Sequence, residues 1–574
     1  MNDNQAQTVH CINTGKSYRI TPGETLKSLS ERECSNVTDP KSGRSYPVLA
    51  ALVDHKLKEL SYNMIYNHEI EFIGYNHPDG RRTYIRSLCF LAQYAVRELF
   101  PDLIFVVDHS LPTGLYCKMA EARLDEDGRI IAHPLSQEDI NAIRSLMREL
   151  VAKDLPFTKK KIPTSDAIEL FTANKQYAKA NLQRSLGKFF CNTYYLNGQA
   201  DSFHGPLVYS TGELKTFDLY PFKDGFCLLI PASSNPDKVT GIIPQEKLSA
   251  TLDEYSDWCQ ITGILGVGTL NESLLNGDAT QLINIAEALQ ERKFTEIANM
   301  IYENRKRIKI IFIAGPSSSG KTSSSLRLAI QCRVLGLNPK VIELDNYFVD
   351  REHTPKDEDG DFDFEALEAM DLPLLNDHLN RLLAGEEVEI PRYDFKAGKP
   401  RYEGNMLHLN ENDILIMEGI HALDPAMVPG VDNSRIFRIY ASALTSLNLD
   451  ENNCLSTSDN RLLRRIVRDN RTRGISPEQT ILRWQSVRKG ENKYIFPFQE
   501  NCDAMLNTAL IYELPLLKYY AEPLLRRILP TSPAYGESIR LIKFLACIVA
   551  LHPEEISAIP PTSIMREFIG GQTL

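Results

Sequence analysis

No uninterrupted apolar run in the chain approaches the roughly 18 residues needed to cross a bilayer, so no membrane-spanning segment is expected. A positive charge excess is also missing: 64 Lys and Arg stand against 75 Asp and Glu, for a net charge of −11. That balance excludes a surface built for general nucleic-acid or anionic-membrane binding, though not a local basic patch. None of the eleven cysteines forms a C-x-x-C pair, so no zinc knuckle is indicated, and their odd number and scatter argue against a disulfide framework. The start, Met1 to His10, is polar, and no secretory leader is expected there. Reduced thiols in a cytoplasm are the expectation. Internal repeats and low-complexity tracts are absent too. What is there is ordinary soluble globular composition, 43% hydrophobic and 24% charged. At about 150 residues per domain, 574 residues require three or four cores.

The first 70 residues read as short strands around one helix. Val9 to Ile12 and Lys16 to Ile20 flank Asn13-Thr14-Gly15, a hairpin signal. Thr21 to Thr25 leads into a helix, and Pro47 to Val53 has strand composition. A second unit, from about Phe72 to Pro231, contains an amphipathic helix at Ser87 to Leu99 and strand-like runs at Leu103 to Val107, Gly114 to Met119 and Gly225 to Ile230. Residues 235 to 304 look helical, with a break at Asn276-Gly277-Asp278. Ile308 to Ala314 then reads as a buried parallel strand, after which strand and helix alternate as in an open α/β sheet. The end, Leu514 to Leu574, looks helical with proline interruptions.

The most specific motif is Gly315-Pro316-Ser317-Ser318-Ser319-Gly320-Lys321-Thr322, followed by Ser323, between that strand and a helix predicted over Ser323 to Val334. Its glycines let the backbone curl so that successive N–H groups face phosphates at the positive end of a helix. Lys321 can reach the β- and γ-phosphates, and the Thr322 hydroxyl can ligate Mg²⁺. A second strand, Lys340 to Leu344, delivers Asp345 to the same carboxyl edge, where a carboxylate can take or orient the proton of an attacking hydroxyl. A third, Asp413 to Met417, ends at Glu418-Gly419, with the acid placed to hold Mg²⁺ directly or through water. Arg461 to Arg473 packs six arginines into thirteen residues. Arg461, Arg464, Arg465 and Arg468 recur at helical spacing, as on a face that closes over transferring phosphates.

In this order these segments resemble the uridine kinase and phosphoribulokinase family of P-loop kinases, over roughly residues 305 to 515. Asp345-Asn346-Tyr347-Phe348, Asp361-Phe362-Asp363-Phe364, Ile390-Pro391-Arg392-Tyr393-Asp394-Phe395 and Met417-Glu418-Gly419-Ile420 carry the resemblance together with the phosphate loop and the arginines. It implies that Asp345 is the catalytic base and that Asp363 binds ribose hydroxyls. It implies a nucleoside pocket lined by Tyr393, with Tyr347 beside the substrate. Arg465, Arg468 and Arg473 would contact phosphate and sugar, Arg468 acting with Lys321 in catalysis. Two departures stand out. The histidine that reads the pyrimidine after Y-D-F is replaced by Lys396-Ala397-Gly398-Lys399, and the arginine that follows the lid glycine is replaced by Ile475.

Residues 8 to 70 resemble the small β-grasp domain called TGS, and residues 72 to 231 the second additional, editing-like domain of threonyl- and alanyl-tRNA synthetases. Arg86 to Pro101 and His204 to Glu213 carry the second likeness. The family's four zinc-ligand positions fall here on Arg86, Phe90, Phe203 and Leu207, none of which can serve in that role. Zinc is therefore not expected, and editing chemistry reads as lost.

The expected architecture is multidomain, α/β and α+β. It comprises a TGS-like β-grasp over 1–71, an editing-like α+β domain over 72–231, a helical linker over 232–304, a P-loop kinase with a parallel sheet flanked by helices over 305–515, and a helical extension over 516–574. The expected reaction is Mg²⁺-dependent phosphoryl transfer from ATP or GTP to a small nucleoside-like alcohol, uridine or cytidine first. Another nucleoside, a sugar or a polyol is the alternative acceptor. The rival from another class is an RNA-binding regulator that uses the phosphate loop as a nucleotide sensor. Contact with tRNA through the N-terminal half and assembly into a homo-oligomer stay open.

Overall fold

The computed structural model describes residues 7–124, 130–232, 235–356, 360, 362–445 and 447–574, and Asp361 lies outside them. Thr8–Cys11 and Lys16–Arg19 pair antiparallel across Asn13-Thr14-Gly15, and Gly15 takes φ 65° at the turn. Thr8–Cys11 also pairs in parallel with His68–Ile73, giving the strand order 16–19, 8–11, 68–73, 50–53, 56–58. Helix Leu26–Glu33, capped by the Thr25 side chain on Ser28 N, buries Leu26 and Leu29 against this sheet.

The next unit is a five-stranded antiparallel sheet: Leu103–Leu111, Gly114–Leu124, Gly225–Leu229 and Asp218–Phe222 lie in that order, and Ile130–His133 also pairs with Gly114–Leu124. Helices Pro78–Leu99 and Gln137–Ala152 pack in the same core. The first begins nine residues before the periodic run at Ser87, because Pro78 occupies its first turn behind the His77 cap.

The C-terminal half is built on a parallel five-stranded sheet. Its strands are β1 (Ile310–Ala314), β2 (Asn338–Glu343), β3 (Asp413–Glu418), β4 (Ile436–Ser442) and β5 (Ala504–Asn507), in the spatial order β2-β3-β1-β4-β5. Every residue of β1 and β3 is buried, as strands covered by helices on both faces require. Helix α1 (Lys321–Val334) leaves the phosphate loop; α2 (Thr457–Arg473) and α3 (Pro477–Tyr494) follow β4.

The stretch expected as a linker is part of this core. Helices Glu246–Ile261, Val267–Leu275 and Ala279–Glu303 bury Phe294, Ile297 and Ile301 in one apolar cluster with Ile311, Leu328 and Ile439. Leu541, Leu545 and Phe568 from the C-terminal region join the same cluster. Burial of apolar surface on this scale outweighs any tendency of polar, helix-forming segments to hang free.

Candidate active site

β1 lies between β3 and β4, so the loop leaving its carboxyl end sits at the middle of the sheet. Gly315 is required by close approach: a Cβ there would stand 1.9 Å from the Ala441 carbonyl oxygen. Ser318 and Gly320 turn the loop with φ of 59° and 83°, and α1 starts directly after Gly320. The first-turn N–H groups of α1 then point back over the loop, a cradle for anionic oxygens. The Lys321 ammonium folds across it, donating to Gly315 O at 2.9 Å and Pro316 O at 3.5 Å.

Thr322 and Glu418 meet directly, the hydroxyl donating to Glu418 Oε1 at 2.7 Å. Burial pushes the Glu418 carboxyl up to about 7; Lys321 and the Thr322 hydroxyl pull the other way, while Asp345 and Glu343 add to the rise. A buried carboxylate beside a hydroxyl is a hard-oxygen donor set of the kind Mg²⁺ takes, with its remaining positions left for phosphate oxygens and water. Gly419 lets the ends of β2 and β3 close up, since a Cβ there would lie 2.7 Å from Leu344 Cβ.

Asp345 sits in the short turn Leu344–Tyr347 beyond β2. Burial raises its carboxyl, Lys321 and Arg473 lower it, and Glu343 raises it again, so it shares a field with both the loop and the arginine helix. Tyr347, expected beside the substrate, points into the core instead. Its ring is 1% exposed and its hydroxyl pairs with His378 Nδ1 at 3.2 Å. The residues that reach the same edge are aromatic. Tyr393 packs on Phe348 and Phe395, with ring centres 5.6 and 5.1 Å away, and its backbone N–H donates to Asn346. Asp363 accepts from the Tyr494 hydroxyl at 3.1 Å and caps Glu365 N at 3.1 Å.

The arginine helix divides in two. Arg461 and Arg464 do not face outward; both are fully buried and brace the loop from behind. Arg461 chelates Glu491 and donates to Ser317 O at 3.1 Å, and Glu491 in turn accepts from Ser317 N at 3.1 Å. Arg464 pairs with Glu513 and donates to Thr508 O at 2.8 Å, while the Thr508 hydroxyl donates to Ser319 O at 2.5 Å. Arg465, Arg468 and Arg473 form the other set. Asp469, 1% exposed, accepts from Arg465 Nε at 3.2 Å, from Arg468 Nη2 at 3.1 Å and lies 3.3 Å from Arg473 Nη1. Arg465 also donates to the Ser317 hydroxyl at 3.0 Å.

Sequence reasoning passed over two of these acids. Asp469 was only a letter between arginines, yet it orients three of them. Glu365 lies among Glu491, Arg465, Lys321 and Asp345, and its carboxyl is pushed up to about 7 by burial and then by Glu491. No local pattern marks it; its neighbours come from four distant segments.

In the N-terminal unit the four positions compared with the synthetases' zinc ligands are packed by other side chains. Phe90 and Phe203 lie 5.4 Å apart between ring centres, Leu207 is buried, and Arg86 donates to Pro206 O at 3.1 Å. The segment after β4 docks on this unit: Asn448 Nδ2 donates to the Val107 and Asp108 carbonyls, Val107 N to Glu451 O, and Asn453 Nδ2 to Ser202 O. At the centre of the contact, the fully buried Lys179 pairs with Asp201 and lies 3.6 Å from Asp450.

Residues 310–510 match the phosphoribulokinase / uridine kinase family. A uridine kinase of Bacillus pumilus (strain SAFR-032) is 30% identical over 203 residues, which is 35% of this chain and 87% of that protein. The N-terminal part is similar to threonine–tRNA ligases. The ligase of Acidovorax sp. (strain JS42) is 30% identical over 179 residues, 31% of this chain. The chain spans about a quarter, 26%, of that ligase's length. Among solved structures, D-glycerate 3-kinase from Cryptococcus neoformans var. grubii serotype A is 12% identical, covering 44% of this chain and 88% of that one at a TM-score of 0.20, too low to bear on function.

Proposed function

Because the chain belongs to the phosphoribulokinase / uridine kinase family, we propose that it transfers the γ-phosphoryl group of ATP or GTP to the hydroxyl of a nucleoside-like alcohol, uridine or cytidine first. The observation that carries this reading is the convergence on one sheet edge of Asp345, Lys321, Arg473 and the Thr322–Glu418 pair. Asp345 accepts the hydroxyl proton as the oxygen attacks in line. Lys321 unfolds from the Gly315 carbonyl onto the donor's phosphates, and Arg465, Arg468 and Arg473 spread positive charge over the transferring group. Thr322 and Glu418 are the residues that would hold Mg²⁺, whose role when bound is to neutralise charge on the β- and γ-oxygens. Asp363, Tyr393 and the aromatic group around Phe348 form the wall for a flat, hydroxyl-bearing acceptor. The replacement of the base-reading histidine by Lys396 to Lys399 keeps another nucleoside, a sugar or a polyol as the second choice.

The test is an acceptor screen with γ-labelled ATP alongside Asp345→Asn and Lys321→Ala. Asp345→Asn is expected to lower kcat by roughly 10²–10⁴ with donor affinity and circular dichroism unchanged. Near-normal turnover removes Asp345 as base, and inert uridine and cytidine beside an active alcohol remove the nucleoside assignment. For the N-terminal half, RNA contact is proposed as binding alone. No imidazole or thiolate remains at the four ligand positions, and salt-sensitive tRNA retention by the full chain is its measure.

A further inference from the structure

Residues 560–572 lie against the mouth of the phosphate loop. Glu567 Oε2 accepts from the Ser323 hydroxyl at 2.6 Å and from Ser323 N at 3.4 Å, and Gln572 Nε2 donates to the same hydroxyl at 2.8 Å. The segment is anchored from the arginine helix. Arg471 donates to Phe568 O at 3.0 Å and Glu567 O at 2.8 Å, and Arg468 Nη1 stands 4.0 Å from Glu567 Oε1. Phe568 is buried beneath the Arg464 guanidinium, and Ile564 covers Gly320, where a Cβ would be 2.8 Å from its Cγ2.

Ser323 supplies the third N–H of α1, one of the first-turn donors with no partner inside the helix. In a loop of this kind those donors cradle the α- and β-phosphates of the nucleotide. A carboxylate already accepts from this one, and a phosphate cannot share the position with it: both are anions seeking the same donors. We propose that the C-terminal segment is a built-in occupant of the donor site, with Glu567 standing where a donor phosphate must bind, so that the nucleotide enters only by displacing it. This rests on the reading of Gly315 to Ser323 as the donor site. Glu567 then determines donor affinity, because the apparent dissociation constant is the intrinsic one divided by the fraction of molecules with the segment released.

Calorimetric titration of Mg·ATP and Mg·GTP into the full chain, its Glu567→Ala variant and its Gln572→Ala variant tests this, together with amide exchange of residues 564–570 in the unmodified protein. Losing a charge-assisted contact to Ser323 is expected to tighten nucleotide binding roughly tenfold in Glu567→Ala, with a smaller gain in Gln572→Ala. In the unmodified protein, Mg·ATP is expected to speed exchange at 564–570. Equal or weaker binding by both variants overturns the proposal, as does protection of 564–570 by nucleotide, which would make the segment a wall of the donor pocket. No nucleotide binding by any of the three proteins overturns the donor-site reading itself, and the occupant with it. Binding by the variants but not by the unmodified chain supports both.

Discussion

Replacing Glu491 by glutamine isolates what braces the phosphate loop. The carboxylate is 1% exposed and accepts four N–H groups: two from Arg461, one from Arg488 at 3.0 Å, and Ser317 N at 3.1 Å. Burial alone would raise its pKa, but Arg461 and then Arg488 outweigh burial and hold it below the ordinary 4.5. The amide keeps the shape but removes the charge, leaving Arg461 buried without its counter-ion. Breaking one side of such a pair costs about 3–5 kcal/mol, here charged to the kinase half and not to the N-terminal sheets. Urea unfolding followed by the fluorescence of Trp484, which lies over Arg461, reports on this region. A group with a depressed folded pKa contributes stability above its unfolded value, and that contribution is lost as pH falls through the folded one. The gap between the parent and Glu491→Gln should therefore be full at pH 7 and shrink below pH 4.5. A gap under about 1 kcal/mol at pH 7, or one that does not change on acidification, would refute the assignment of this pair as the brace.

Asp469→Asn should lower stability by about 1–2 kcal/mol, and should lower kcat while changing KM for the donor little, because in the proposed reaction the arginines it orients act on the transferring group. Steady-state kinetics at varied ATP separates this from simple unfolding. Glu451, whose carboxylate accepts from Ala178 N at 2.7 Å and Lys179 N at 3.1 Å, is pushed up to about 7 by burial and then by Asp450. The folded state thus holds a proton that the unfolded one has released between pH 4.5 and 7. Stability falls as pH rises through that window, by about 1–3 kcal/mol, and Glu451→Gln should flatten the slope in thermal melts.

What was readable in the sequence was local. A β-branched strand, the G-x-x-x-x-G-K-T spacing and an acid at the ends of the next two strands in sequence specify the loop and the Thr322–Glu418 pair, because backbone geometry alone brings them to one edge. Directions of side chains were less legible. Arg461, Arg464, Arg465 and Arg468 share a spacing, yet the first two turn inward because Glu491 and Glu513, 30 and 49 residues away, wait there. Tyr347 turns inward because its turn places it over His378. The helices between 246 and 303 show helical period, but not that Ile311 and Ile439 would be their partners. Pro78 was the missed start signal of its helix, outweighed by the apolar run that begins at Ser87.

The wrapping of the parallel sheet by segments from both sides in the chain also orders its birth. On the ribosome the β-grasp and editing-like sheets have all their strands once residue 229 has emerged, and they can close while synthesis continues. The sheet holding the phosphate loop cannot. Its last strand is finished at Asn507, and the side chain of Phe568, which seals the underside of Arg464, is made about sixty residues later. Until then β1 and α1 lack part of their apolar cover, so the parallel sheet is the last of the sheets to be completed.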